Sequence, residues 1–493
     1  MADWVLRGVP GALARDGWWL SDRDGTGAPV QGFRRGLAGL APGRAVAAIL
    51  LLVGFGDFLF YGQAVGLSLA VFAGAVFLAA LLTLPAGERL RPAGLLFLSA
   101  LPIIDYVQAL SLAFLAVGLT ASLLWARGGT GALAARGLAL WATLPWRGIG
   151  DGCHGTARVL QSDALRGQWK AARAWAFPAG GALVLAGLLL LANPLLAQMM
   201  SKLFAIRGEG VVTIGRLLLW LGLALVLWPL FAAPPPAVTP TLPAFPTRFR
   251  PGAQSVARGL LVFNAILGVQ TLMDAAYLWG GASLPEGMTA AQYAHRGAYP
   301  LLVTALLAGA FALTARTFAQ EDRGLRWLLL LWLAQNVALV LSALLRLELY
   351  VQAFGLTYLR LHSAIWMGLV AAGLGLTAWQ VWRGRTNLWL VTRAAGLALA
   401  TLYACCFVNF AAVIAAENLS RPTFDEKYLC DLGPTAAAVI ADSGREDLVF
   451  VVSWNEYTHC PIIGPQVDGW RDWGFRNWRV SRYLDAMAVT ERP

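Results

Sequence analysis

Runs of about 20 apolar residues, repeated from residue 45 to residue 416, constrain this chain more than any other feature. A helix of that length crosses the roughly 30 Å hydrocarbon layer of a bilayer, where backbone amides must be satisfied inside their own segment. Composition agrees: 58% of the 493 residues are hydrophobic and 13% are charged, against roughly 45–50% and about 25% in soluble domains. A soluble enzyme, a collagen-like chain, a disordered chain and a disulfide scaffold are excluded on those figures. The expected fold class is an all-α polytopic integral membrane protein.

Apolar segments fall at about 45–61, 64–84, 93–104, 106–126, 178–200, 213–232, 257–280, 298–316, 325–347, 356–382 and 388–416, which makes about 11 transmembrane helices. The third is short and carries Pro102, so 93–126 also reads as one bent span. Charge favours the split. With eleven crossings, about 24 Arg/Lys lie on inward segments and about 6 on outward ones, whereas merging 93–126 reverses every later loop against the positive-inside tendency. The expected threading puts the N-terminus in the cytoplasm and the C-terminus on the periplasmic or extracytoplasmic side.

This threading divides the chain into a cytoplasmic N-terminal tail (1–44), a first membrane bundle (45–232), a proline-rich cytoplasmic linker (233–253), a second bundle (254–416) and an outward tail (417–493). Residues 156–177 place Val159, Leu165, Trp169, Ala172 and Trp175 on one side and four cations on another, the pattern of an interfacial helix on anionic lipid. The net charge of +11 is uneven, because the tail holds 8 Arg/Lys and 12 Asp/Glu. A basic membrane part with an acidic tail follows lipid orientation rules, and no basic stripe interleaved with aromatics marks a nucleic-acid partner. Within the tail, LGPTAAAVIADSG reads as helix and LVFVVSW as a strand, and the segment is too short for a large core of its own.

Three echoes occur in the same order in the two bundles: Asp57 in DFLFYG with Asp274 in DAAYLWG, YVQA at 106–109 and 350–353, and Asn193 with Asn409. They suggest a parallel tandem repeat. An ionisable group at mid-membrane costs roughly 2.5–3.5 kcal/mol and asks for a partner. Here the ions gather at the outward ends of the spans: Asp57, Asp105, Asp274, Arg346, Glu348, Arg360 and His362, with Tyr350 beside them and Tyr293, His295 and Arg296 in the following loop. Arg346 and Glu348 are two residues apart, so they face different ways and are expected to bond to other spans. One reading is an outward polar cavity that holds a ligand. The other is a set of interhelix ties and interfacial anchors.

No HExxH, paired CxxC, P-loop, GxSxG elbow or intact dinucleotide fingerprint is present, so neither metal nor cofactor is expected. Cys430 and Cys460 lie in the tail, where an oxidising compartment permits a disulfide; two free thiols are the alternative.

The stretch DAAYLWGGASLPEGMTAAQYAHRGAYPLLVTALLAGAFALTA, followed by LWLAQNVALVLSALLRLELYVQAFGLTYLRLHSAIWMGLVAAGL, resembles a bacterial family of polytopic membrane proteins known as domain of unknown function 4173, related to the 4153 group. The resemblance is strongest over about 270–380, with YAHRG at 293–297 and FGLTYLR at 354–360 its most specific pieces. The chain has FGLT where the family leads one to expect YGLT. The resemblance implies a bacterial inner (cytoplasmic) membrane and carries no activity and no catalytic residues. Three functions remain open: a non-enzymatic, transporter-like protein handling or sensing a small solute or envelope component; a membrane-embedded transferase or hydrolase acting on a lipid-linked substrate; and a signalling or assembly scaffold.

Overall fold

The computed structural model describes residues 42–81, 89–130, 132–160, 213–232, 252–276, 307–444 apart from 310, 314 and 317, and 464–490, with isolated positions between 178 and 185. The N-terminal tail, most of the interfacial helix, the fifth expected span, most of the proline-rich linker, the loop bearing Tyr293, His295 and Arg296, the expected strand and Cys460 all lie outside the described residues. Among the described residues the regular structure is entirely helical.

Among the described residues, six helices are long and apolar enough to cross a membrane: α4 (Ala109–Gly128), α6 (Ile214–Phe231), α7 (Ala253–Asp274), α8 (Arg323–Phe354), α9 (Tyr358–Arg383) and α10 (Asn387–Phe407). The other helices of the membrane part are α1 (Pro42–Phe60), α2 (Leu67–Leu81), α3 (Leu90–Asp105), α5 (Leu133–Leu160) and α11 (Phe410–Leu419). The described residues therefore show six qualifying helices where eleven spans were expected. Part of the difference is length, since α2 and α3 have 15 and 16 residues. The expected single span 388–416 is two helices, α10 and α11, interrupted at Val408 and Asn409, and of these α10 is among the six. Residues 156–160 of the expected interfacial helix belong to α5, which begins at Leu133.

By contact the chain forms two compact units. The first comprises residues up to Ala64, 68–100 and 115–240; the second comprises 65–67, 101–114 and 241–493. In the first, α6 packs against α5 and α1. The approach of α5 to α6 is close enough that a Cβ added at Gly148 would meet the Leu225 carbonyl oxygen at 2.5 Å. Small residues let membrane helices approach in this way, because lipid supplies no hydrophobic drive between them.

In the second unit α8 packs against α7 and α9. Its core joins Leu260 and Leu267 of α7, Leu329, Leu333 and Leu339 of α8, Met367 and Leu374 of α9, and the small residues Ala308, Ala312 and Ala315 of the helical stretch near 307–321. Polar bonds tie the same helices: buried Asn264 donates to the Leu328 carbonyl at 3.0 Å, and Gln335 donates to the Asn264 carbonyl at 3.3 Å. A second small core lies beneath α11, where Ile414 and Ala415 meet Leu429, Ala436 and Ile440. Those last residues come from α12 (Glu426–Cys430), a 3-10 turn (Pro434–Ala436) and α13 (Ala437–Asp442), and α14 (Phe475–Thr490) follows.

Candidate functional site

The ions expected at the span ends fall into four groups. In the first unit, Asp57 near the end of α1 meets Arg216 in the first turn of α6 in a two-pronged pair, with Arg216 Nε at 2.7 Å from Oδ1 and Nη2 on Oδ2. Trp220, one turn further on, donates its indole N–H to Asp57 at 2.9 Å. The Arg216 guanidinium lies 4.8 Å from the centre of the Tyr61 ring. The planar fork of arginine matches a carboxylate with two parallel bonds, so this pair fixes α6 on α1 in register.

In the second unit, Asp274 at the last residue of α7 and Arg346 of α8 form a buried ion pair through Arg346 Nη2, with side chains 2% and 5% exposed. Gln270, one turn earlier on α7, donates to the same carboxylate at 2.9 Å. Two of the expected residues are thus brought together.

Asp105 is placed elsewhere in that unit. It ends α3, and its carboxylate accepts from Arg476 of α14 at 2.5 Å. The same guanidinium donates to the Cys406 carbonyl at 2.8 Å and stacks 4.9 Å from the centre of the Tyr106 ring. Gln108 also donates to that carbonyl, at 3.2 Å. Cys406 lies one residue before the end of α10, where helix carbonyls lose their intrahelical donors. A buried arginine therefore serves the chain interruption between α3 and α4 and the one between α10 and α11. Asn409 completes the second interruption: its side chain caps α11 at the Ala412 N–H and donates to the Thr435 carbonyl.

The fourth group surrounds the turn from α8 into α9. Gly355 sits at φ 78° and ψ 171°, a region open to glycine almost alone. Asn418 of α11 grips the next residue by both groups, accepting from the Leu356 N–H at 2.6 Å and donating to its carbonyl at 2.9 Å. Arg421 donates to the Val351 and Gln352 carbonyls, both at 2.7 Å, and to Glu417 at 2.6 Å. Arg360, in the first turn of α9, reaches back to the Phe354 and Gly355 carbonyls through Nη1 and lies 4.6 Å from the centre of the Tyr350 ring.

Beside this turn lies a cavity of about 760 Å³ between α8, α9 and α11. Its wall is mainly apolar, with Leu344, Leu347, Leu361 and Val413 among the lining residues, and its polar groups are Glu348, Arg360, Glu417 and Ser420. Of the expected residues, Glu348 and Arg360 line this cavity and Tyr350 stacks on Arg360. Glu348 accepts from Gln352 on its own helix rather than bonding to another span. His362 stands between the Tyr358 and Phe410 rings, with centroids 6.0 and 5.6 Å away. No group of His, Cys, Asp and Glu able to hold a metal occurs among the described residues.

Sequence reasoning missed Arg216, Arg476, Asn418 and Arg421. Arg216 left a signal, being an arginine at the edge of the apolar run 213–232. Arg476 left none, because its partners lie 371 and 70 residues away. In the tail, Cys430 is disulfide-bonded, while Cys153, Cys405 and Cys406 are free. Tyr483 of α14 donates to Asp442 at 2.9 Å, and that bond pushes the phenol above its ordinary value.

Long apolar helices, buried ion pairs between them and a half-apolar cavity define a multi-pass helical membrane protein. The chain belongs to the family described as domain of unknown function (DUF4153), which matches residues 90–443, from the start of α3 to just beyond α13. The match is to the 4153 group, and it lends no support to the 4173 designation. No curated protein and no solved structure matches the chain.

Proposed function

We propose that this protein is a non-enzymatic, transporter-like membrane protein that handles or senses a small solute or envelope component in the second unit. The cavity of about 760 Å³ carries the reading. It falls within the roughly 300–1,000 Å³ range of small-molecule sites, and it combines an apolar wall with a few convergent polar groups, as such sites do. The break between α10 and α11 supports the transporter-like form, because transporter sites are built on discontinuous helices and α11 lines the cavity. In this reading the protein lies in a bacterial inner membrane, with the cavity and the C-terminal segment outside and the basic loops inside. Anionic lipid is the partner of the segment 156–177, and Cys430 pairs with Cys460.

The test is occupancy. Purified full-length protein is compared with an Ala364→Trp variant, which fills the cavity while leaving Glu348 and Arg360 themselves unaltered, and co-purifying lipids and metabolites are measured by mass spectrometry. An Ala416→Trp variant fills the same space from α11 and guards against a folding artefact. The expected result is loss of a bound species from both variants while their melting midpoints stay close to that of the unaltered protein. Identical bound species in all three proteins would remove the cavity from the function.

A further inference from the structure

Two cavity groups, Glu348 and Arg360, carry opposite charges. Among the described residues, Arg360 pairs with no carboxylate and Glu348 with no cation, and the two do not pair with each other. The Arg360 bonds run through Nη1 to backbone carbonyls, and among the described residues Nη2 and Nε meet no acceptor. The bond of Glu348 to Gln352 is long at 3.2 Å and uses one carboxylate oxygen. Glu417, the second acid on the cavity wall, is held by Arg421 through Oε1. Glu348 is exposed and Arg360 half-buried at the cavity wall, so both stand open to a ligand of matching charges lying along the apolar surface.

The surroundings narrow the ligand further. Eight of the twelve lining residues are apolar, and Val413 is itself 44% exposed. The cavity sits at the end of α8, whose 32 residues extend for about 48 Å, well beyond the roughly 30 Å of hydrocarbon. Charged groups at a helix end above an apolar wall match a molecule with a polar head and a greasy body.

We infer that the cavity takes an amine-bearing phospholipid, with its phosphate on the open face of Arg360, its ammonium on Glu348 and Glu417, and its upper acyl region against Leu344, Leu347 and Leu361. This rests on the cavity reading above and adds the ligand class. Arginine suits the phosphate, since its fork gives two parallel charge-assisted bonds.

The test measures binding of three probes to full-length protein in detergent: short-chain phosphatidylethanolamine, short-chain phosphatidylglycerol and free phosphoethanolamine. The amine lipid is expected to bind at least about tenfold more tightly than either of the others: phosphatidylglycerol lacks the ammonium that Glu348 and Glu417 would meet, and phosphoethanolamine lacks the acyl region that the apolar wall would cover. Glu348→Gln should erase the preference over phosphatidylglycerol, and Arg360→Lys should weaken both lipids. Equal binding of the two lipids, unchanged by Glu348→Gln, overturns the ligand class and leaves the cavity reading standing. Equally tight binding of phosphoethanolamine overturns the lipid and makes the occupant a soluble zwitterion. Lipid binding unaffected by Ala364→Trp overturns both this inference and the cavity reading.

Discussion

Removing one member of the Asp274–Arg346 pair tests whether the second unit is held together as described. Both side chains are almost completely enclosed, at 2% and 5% exposure, so water screens the survivor very little. Deleting one partner of a buried pair costs about 3–5 kcal/mol, because the other charge stays buried without its counter-ion, whereas replacing both by apolar groups of similar volume is close to neutral. Arg346→Met and Asp274→Leu should therefore each destabilise the protein by about 3–5 kcal/mol, with the double variant within about 1 kcal/mol of the unaltered protein. Asp274→Leu should be the worse single change. A stranded guanidinium stays charged, whereas a stranded carboxyl group can take up a proton. The assay is unfolding in mixed micelles at rising dodecyl sulfate fraction, read by helix loss, with the three variants forming a double-mutant cycle. Additive single effects, or a loss below about 1 kcal/mol for either single variant, would show that the two groups are not coupled as the geometry says.

Four further outcomes follow from the same contacts. Gly355→Ala should cost about 1–3 kcal/mol, because alanine is strained at φ 78° and its Cβ would lie 2.9 Å from the Asn418 oxygen; the same unfolding assay measures it. Arg476→Met should lower the melting midpoint and speed proteolysis of α14, since it removes the counter-ion of Asp105 and one of two donors to the Cys406 carbonyl; an unchanged cleavage rate would rule out that link. Tyr483→Phe should show a pH-dependent difference: a raised phenol pKa means the folded state favours the neutral form, so the bond's contribution is complete below the ordinary value and lost as pH rises through the raised one. The melting midpoints of the two proteins should differ near neutral pH and converge in strong alkali. A non-reducing digest should yield one crosslinked peptide pair containing Cys430 and Cys460, and a Cys430 peptide linked elsewhere or free would refute that pairing.

The class of fold was legible because bilayer insertion depends on summed hydropathy, and α4, α6, α7, α8, α9 and α10 carry that signal in their own residues. Charge at helix ends was legible for a similar reason: Asp274 and Arg346 stand out against apolar neighbours, and each requires a partner. Hydropathy does not report continuity, so the run 388–416 gave no warning of a break. The break depends on Asn409 and on the carbonyl of Thr435, 26 residues away. Helix α5 escaped for the opposite reason. Arg136, Arg147 and Asp151 interrupt its apolar run, and its ion pair joins Arg147 to Asp151 within the helix. Within the second unit Asp105, Asp274 and Arg360 take different partners, which span-end position could not foretell because it gives depth along a helix but not the direction a side chain faces.

Arg476 has a consequence for biogenesis. It follows Asp105 by 371 residues, and at about 5–20 residues per second the ribosome takes roughly 20–75 seconds to deliver it. Throughout that interval the end of α3 is already threaded while its counter-ion has yet to be made. Water, headgroups or the insertion machinery must shield the carboxylate in the meantime, and the nascent chain waits for its late-emerging guanidinium before that joint can close.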